Sequence, residues 1–141
     1  FPRTLLERLG GFEPAKEVAR LYWNLIADTC KIAWSNYQPV HIISLDDVTT
    51  PPPPKINYRL KELVGVASLA RLGRDIINSA LEAGQDNKIN KGRLTDLVHR
   101  LGDVDWAKDK NNHWMSDSQA GFAGQKGLYE KLHALVYGYG G

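Results

Sequence analysis

Cysteine is nearly missing from this 141-residue chain, in which Cys30 stands alone. One thiol forms neither an internal disulfide nor a cysteine-based zinc cluster, so the expectation is a buried thiol in a reducing, cytoplasmic setting. Long apolar runs are missing too. No eighteen consecutive apolar residues occur, which excludes a membrane-spanning helix. Nor is one sign of charge in excess: eighteen Lys and Arg face sixteen Asp and Glu, a net charge of +2. That balance excludes a uniformly basic nucleic-acid coat but leaves room for a local basic face. The sequence also lacks GxSxG, Walker A, GxGxxG and HExxH motifs, and no two of its four histidines are spaced i,i+4. No enzyme activity, cofactor or metal is therefore expected.

What is present points to a folded domain. Hydrophobic residues make up 43% and charged residues 24%, near the globular norm, which excludes a disordered class. The length suits one domain, and its start at Phe1-Pro2 without a methionine suggests part of a longer protein.

Hydrophobic periodicity predicts an all-α fold: a single helical domain of about four main helices around a long central helix, with long irregular loops. Residues 1–12 hold a short helix, Leu5 to Leu9, opened by a Thr4–Glu7 capping box and stopped by Gly10-Gly11. Pro14 fits the first turn of a second helix, whose Val18, Leu21, Tyr22, Leu25, Ile26 and Thr29 share a face. Residues 31–56 form a Pro-rich connection; Val40 to Leu45 suits an extended piece and Pro51 to Pro54 a stiff polyproline spacer. The central helix is expected from an Asn57 N-cap to Gly84, carrying Leu60, Leu63, Val64, Ala67, Ala70, Ile77, Ala80 and Leu81. Gly65 and Gly73 each cost about 1 kcal/mol relative to Ala within a helix, which implies close packing or a kink. A third main helix spans Arg93 to Leu101 with Gly102 as C-cap, residues 107–124 read as a polar loop, and a last helix runs from about Gln125 to Tyr137.

Candidate chemistry is sparse. Asp105, Asp109, His113 and Asp117 recur every four residues, the basis for a metal-dependent enzyme, but the flanking Gly and Asn residues favour a turn with Asp103 or Asp105 as a cap. Gly121, Gly124 and Gly127 precede the last helix beside Lys126, where loop amides could cradle a phosphate or simply form a flexible link. His99 and His133 beside apolar stripes read as structural. Basic residues gather in the later part of the chain: thirteen Lys and Arg face ten Asp and Glu over residues 55–131, against five and six over residues 1–54. Arg71, Arg74, Lys91, Arg93, Lys108 and Lys126 are the expected phosphate contacts, with Trp114 as a base stacker.

Three segments resemble the C-terminal region of DGQHR-domain proteins, the family that includes DNA sulfur modification proteins of the DndB type. They are Leu21-Tyr22-Trp23-Asn24, Tyr58-Arg59-Leu60 running into Val66 to Gly73, and Val104-Asp105-Trp106 with Lys108 and Asn112-His113-Trp114. The last is similar to an Ile-Asp-Trp…Asn-Pro-Trp…Gly signature, with His113 in place of the proline. No Asp-Gly-Gln-His-Arg motif occurs in these residues, so the chemistry of the family's N-terminal domain does not carry over. The resemblance implies a helical, DNA-associated domain of a bacterial or archaeal modification or operon-regulatory protein. A separate N-terminal domain or partner subunit would accompany it. Trp106, Asn112 and Trp114 are the positions that carry over, the tryptophans pinning a loop and Asn112 orienting it through backbone hydrogen bonds. The leading expectation is DNA contact or subunit docking. The alternatives are a protein–protein interaction module using Pro51 to Pro54 and the Gly138-Tyr139-Gly140-Gly141 end, and the small metal-dependent enzyme.

Overall fold

The computed structural model describes residues 3–35, 58–83, 88–108, 112, 114–115 and 122–138. Its elements are α1 (Arg3–Leu9), α2 (Phe12–Thr29), α3 (Lys31–Ser35), α4 (Leu63–Glu82), α5 (Lys91–His99) with a 3-10 turn over Arg100–Asp103, and α6 (Phe122–Tyr137). Among the described residues there is no strand beyond a single antiparallel bridge, Tyr58 to Ala107. The fold is all-α, with α2, α4, α5 and α6 as its four main helices.

Helix α1 ends as its glycines dictate. Gly10 and Gly11 adopt φ of 97° and 110°, which side chains resist. Their amides donate back to Glu7 O at 3.1 Å and Leu6 O at 2.9 Å, closing a Schellman turn. The expected Thr4 cap does not form: the helix already includes Arg3, whose guanidinium pairs with Glu7 at 3.3 Å. Beyond α2, five residues of the expected irregular connection form α3, with Trp34 N donating to Cys30 O at 2.8 Å. The remainder of that connection, including Val40 to Leu45 and Pro51 to Pro54, lies outside the described residues, as do Asn57 and Gly84.

Helix α4 starts at Leu63, later than its periodicity suggests. The preceding residues are held elsewhere: Arg59 N donates to Trp106 O at 2.9 Å and Glu62 N to Arg59 O at 3.0 Å. Gly65 is where this turn crosses the helix, since a Cβ there would meet the Arg59 and Leu60 carbonyl oxygens. Gly102 lies within the 3-10 turn rather than capping α5. Helix α6 begins at Phe122, so Gly124 and Gly127 are helical and do not form a loop before its N-terminus.

Helix α4 is central, packing chiefly against α6 and α5. Ser68 Oγ donates to Gln125 O at 3.1 Å, Tyr129 OH to Asp75, and Ser79 Oγ lies 2.7 Å from Tyr137 OH. The numbers rise together, so α4 and α6 run parallel. Helix α2 packs mainly on α5 and reaches α4 through Tyr22, whose OH donates to Leu69 O at 2.6 Å. Ile26, Leu69, Leu72, Ile76, Leu94, Leu97, Leu101, Leu128 and Leu132 close the core at 2% exposure or less, a continuous apolar interior supplied by every main helix.

Candidate functional site

Between α2 and α4, which meet through Tyr22, an open groove of about 700 Å³ remains. On α2 its wall is Phe12, Lys16, Ala19 and Trp23, spaced four, three and four residues apart and so on one helix face. On α4 the wall is Ala70, Arg71, Gly73, Arg74 and Ile77, with Tyr22 and Ala15 at the base and Leu6 of α1 at one end. The groove forms because Ala15, Ala19, Ala70 and Gly73 carry little or no side chain. Its lining holds three cations and no carboxylate.

Two of those cations have partners, that of Arg71 on α6 and that of Arg74 on α4 itself. The Arg71 guanidinium lies 4.2 Å from the centre of the Tyr129 ring, a cation–π contact. Arg74 Nε lies 3.9 Å from Asp75, whose carboxylate also accepts from Tyr129 OH. Burial, then the hydrogen bond and negative charge of Asp75, push the Tyr129 phenol up to about 12, against the lowering effect of Arg71 and Arg74. Tyr129 therefore stays neutral and continues to donate.

The remaining expected phosphate contacts are spread out. Lys126 is exposed on α6, one turn before Tyr129. Lys108 is engaged by Glu62 at 2.7 Å, and Glu62 also receives Arg59 at 3.1 Å. Lys91 opens α5 beside α2, and Arg93 faces Asp96 at 3.8 Å. Glu62 precedes α4 and Asn90 hydrogen-bonds to Ala80 O near its end, so Lys108 and Lys91 mark opposite ends of a helix about 30 Å long. The structure brings Arg71 and Arg74 together, with Lys126 nearby, and separates them from Lys108 and from Lys91 and Arg93.

Lys16 and Phe12 were not expected in a site. Their spacing with Ala19 and Trp23 was the available signal, but it carries meaning only once α4 lies opposite. Phe12 is 71% exposed, a large apolar surface left beside three cations.

A second feature centres on Asn112, which is 8% exposed. Its Nδ2 donates to Asp105 O at 2.9 Å and Ala107 O at 2.8 Å, while its Oδ1 accepts from Trp114 N at 3.1 Å. Asp105 Oδ1 accepts from Ala107 N at 3.0 Å, so this carboxylate caps a turn. Trp106 is buried at 3% exposure and Trp114 packs half-buried against the core, which joins loop to helices. Half-burial limits the Trp114 face that could stack on a base.

Cys30 is also buried; burial raises its thiol, and the neighbouring Trp106 indole acts in the opposite sense. His133 sits between the Tyr129 and Tyr137 rings, at 5.7 and 4.7 Å, in a packing role. No metal-binding cluster occurs among the described residues, while Asp109, His113 and Asp117 lie outside them. No helix among the described residues is long and apolar enough to cross a membrane.

Comparisons with protein-family models, with curated proteins and with solved structures return no match.

Proposed function

We propose that this chain is a non-catalytic helical docking domain of a DNA-modification assembly of the phosphorothioation type, or of a regulatory protein associated with one. The groove between α2 and α4 carries this reading. It is open and mainly apolar, and it exposes Phe12 beside three cations. Exposed apolar surface beside clustered cations is how a protein interface presents itself before its partner arrives. The link to DNA modification rests on the family resemblance, with Trp106, Asn112 and Trp114 as its carriers. The test is a photo-crosslinking residue placed in cells at Ala70, with Glu82 as an exposed position outside the groove. A discrete adduct at Ala70 alone, identified as a subunit of such an assembly, supports docking. No groove-specific adduct overturns it.

A second reading is direct DNA contact. Arg71, Arg74 and Lys126 on adjacent helices favour it. Replacing all three with Ala would then weaken binding of a duplex and flatten its salt dependence by about one log–log slope unit per lost phosphate contact. A gel shift that shows no binding at low salt retires that reading.

A further inference from the structure

We infer that the groove between α2 and α4 takes an acidic amphipathic helix from a partner protein. This rests on the docking reading and specifies its occupant. The argument begins with shape. Along α2 the wall from Phe12 to Trp23 spans eleven residues, about 17 Å. On α4 the residues Leu63, Val66, Ala70 and Arg74 follow at spacings of three, four and four, so they share one face over the same length. Leu63 is 75% exposed and Val66 39%, so the apolar strip of α4 runs beyond the groove itself.

A small ligand is normally enclosed, with most of its surface buried. Here the uncovered apolar surface extends over eleven residues of α2 and continues along α4 to Val66 and Leu63, which matches about three turns of helix presenting anchors at i, i+3, i+4 and i+7. Small residues on both walls, Ala19 on α2 and Ala70 and Gly73 on α4, leave room for a third helix backbone to come close. Charge then sets the sign of the partner. Lys16 stands on one wall and Arg71 and Arg74 on the other, with no carboxylate in the lining. Asp75, the acid beside Arg74, is already held by the Tyr129 hydroxyl. An incoming helix with Asp or Glu flanking its apolar stripe meets a cation on each side. A basic helix meets repulsion on both.

The probe is a dye-labelled synthetic helix of about 18 residues with Leu on one face and Glu on the other, read by fluorescence anisotropy. A counterpart with Lys for Glu, sodium laurate and a short DNA duplex are run beside it. The variants are Arg71→Glu with Arg74→Glu, Lys16→Glu alone, and Ala70→Trp, which fills the groove from an exposed position. Lys16 is exposed, so its variant keeps the test valid should the double reversal disturb the fold, as circular dichroism would reveal.

The expected result is that the Glu helix binds and the Lys helix does not. Each charge reversal should weaken the Glu helix by about tenfold or more, and Ala70→Trp should block it. Equal binding of both helices, blocked by Ala70→Trp, leaves docking intact and overturns the acidic partner. Failure of the Glu helix to bind, whether or not laurate or the duplex binds, also overturns it. Self-association of the chain that Ala70→Trp abolishes makes a second copy the occupant and overturns it as well. Helix binding indifferent to Ala70→Trp removes the groove from both readings.

Discussion

Gly73 lies against the ring of Tyr22: a Cβ built on Gly73 would sit 2.7 Å from Tyr22 Cε1 and 2.8 Å from Cζ. This approach brings the Tyr22 hydroxyl to the Leu69 carbonyl and sets how far apart α2 and α4 stand. The width of the groove therefore depends on one missing methyl group.

Helix propensity alone would make Gly73→Ala stabilising by about 1 kcal/mol. Contact with a fully buried ring reverses the sign, and a net loss of about 1–3 kcal/mol is expected, read as a lower urea midpoint. Gly65→Ala should cost more, because its Cβ meets the carbonyl oxygens of Arg59 and Leu60, which are tied to the turn before α4. Gly92→Ala, whose Cβ would meet only Asn90 Oδ1 at 3.4 Å, is the near-neutral control.

Asn112→Ala leaves the carbonyls of Asp105 and Ala107 and the amide of Trp114 without their side-chain partner. A loss of about 2 kcal/mol is expected by thermal melting. Asn112→Asp should be worse near neutral pH, since a carboxylate would face two carbonyl oxygens, and should recover partly in acid. Equal stability of the Ala variant and the parent would show that the loop is held by its tryptophans alone.

Alkaline pH should weaken the fold through its tyrosines. Burial raises the Tyr22 and Tyr137 phenols, and burial with Asp75 raises Tyr129 to about 12. The folded chain thus holds these protons more tightly than the unfolded chain, in which tyrosine titrates near 10. Their contribution is complete below pH 10 and declines as pH rises from 10 towards 12. Urea melts across that window should show the decline, and Tyr129→Phe should make it shallower. A flat profile would mean that these phenols ionise freely in the folded chain.

Helical spacing in the sequence is enough to place the four main helices and most of the core. Leu94, Leu97, Val98 and Leu101 are all buried, as are Leu128, Leu132 and Val136. Local chemistry also reveals the glycine stop after α1 and the tight packing of Gly65 and Gly73, because a costly residue inside a helix needs a neighbour to explain it. Asn112 binds the backbone through both atoms of its amide, a role that short polar side chains commonly take outside helices. Helix starts are less legible: α4 begins only at Leu63 because Arg59 is drawn to Trp106, a partner far along the chain. The groove is not written locally at all. Phe12 and Lys16 look like solvated positions of one helix until α4 is laid opposite with Arg71 and Arg74. Periodicity records which face of a helix is apolar, whereas a site between helices depends on which faces meet and how closely. Here, long-range packing through Tyr22 and Gly73 settles both.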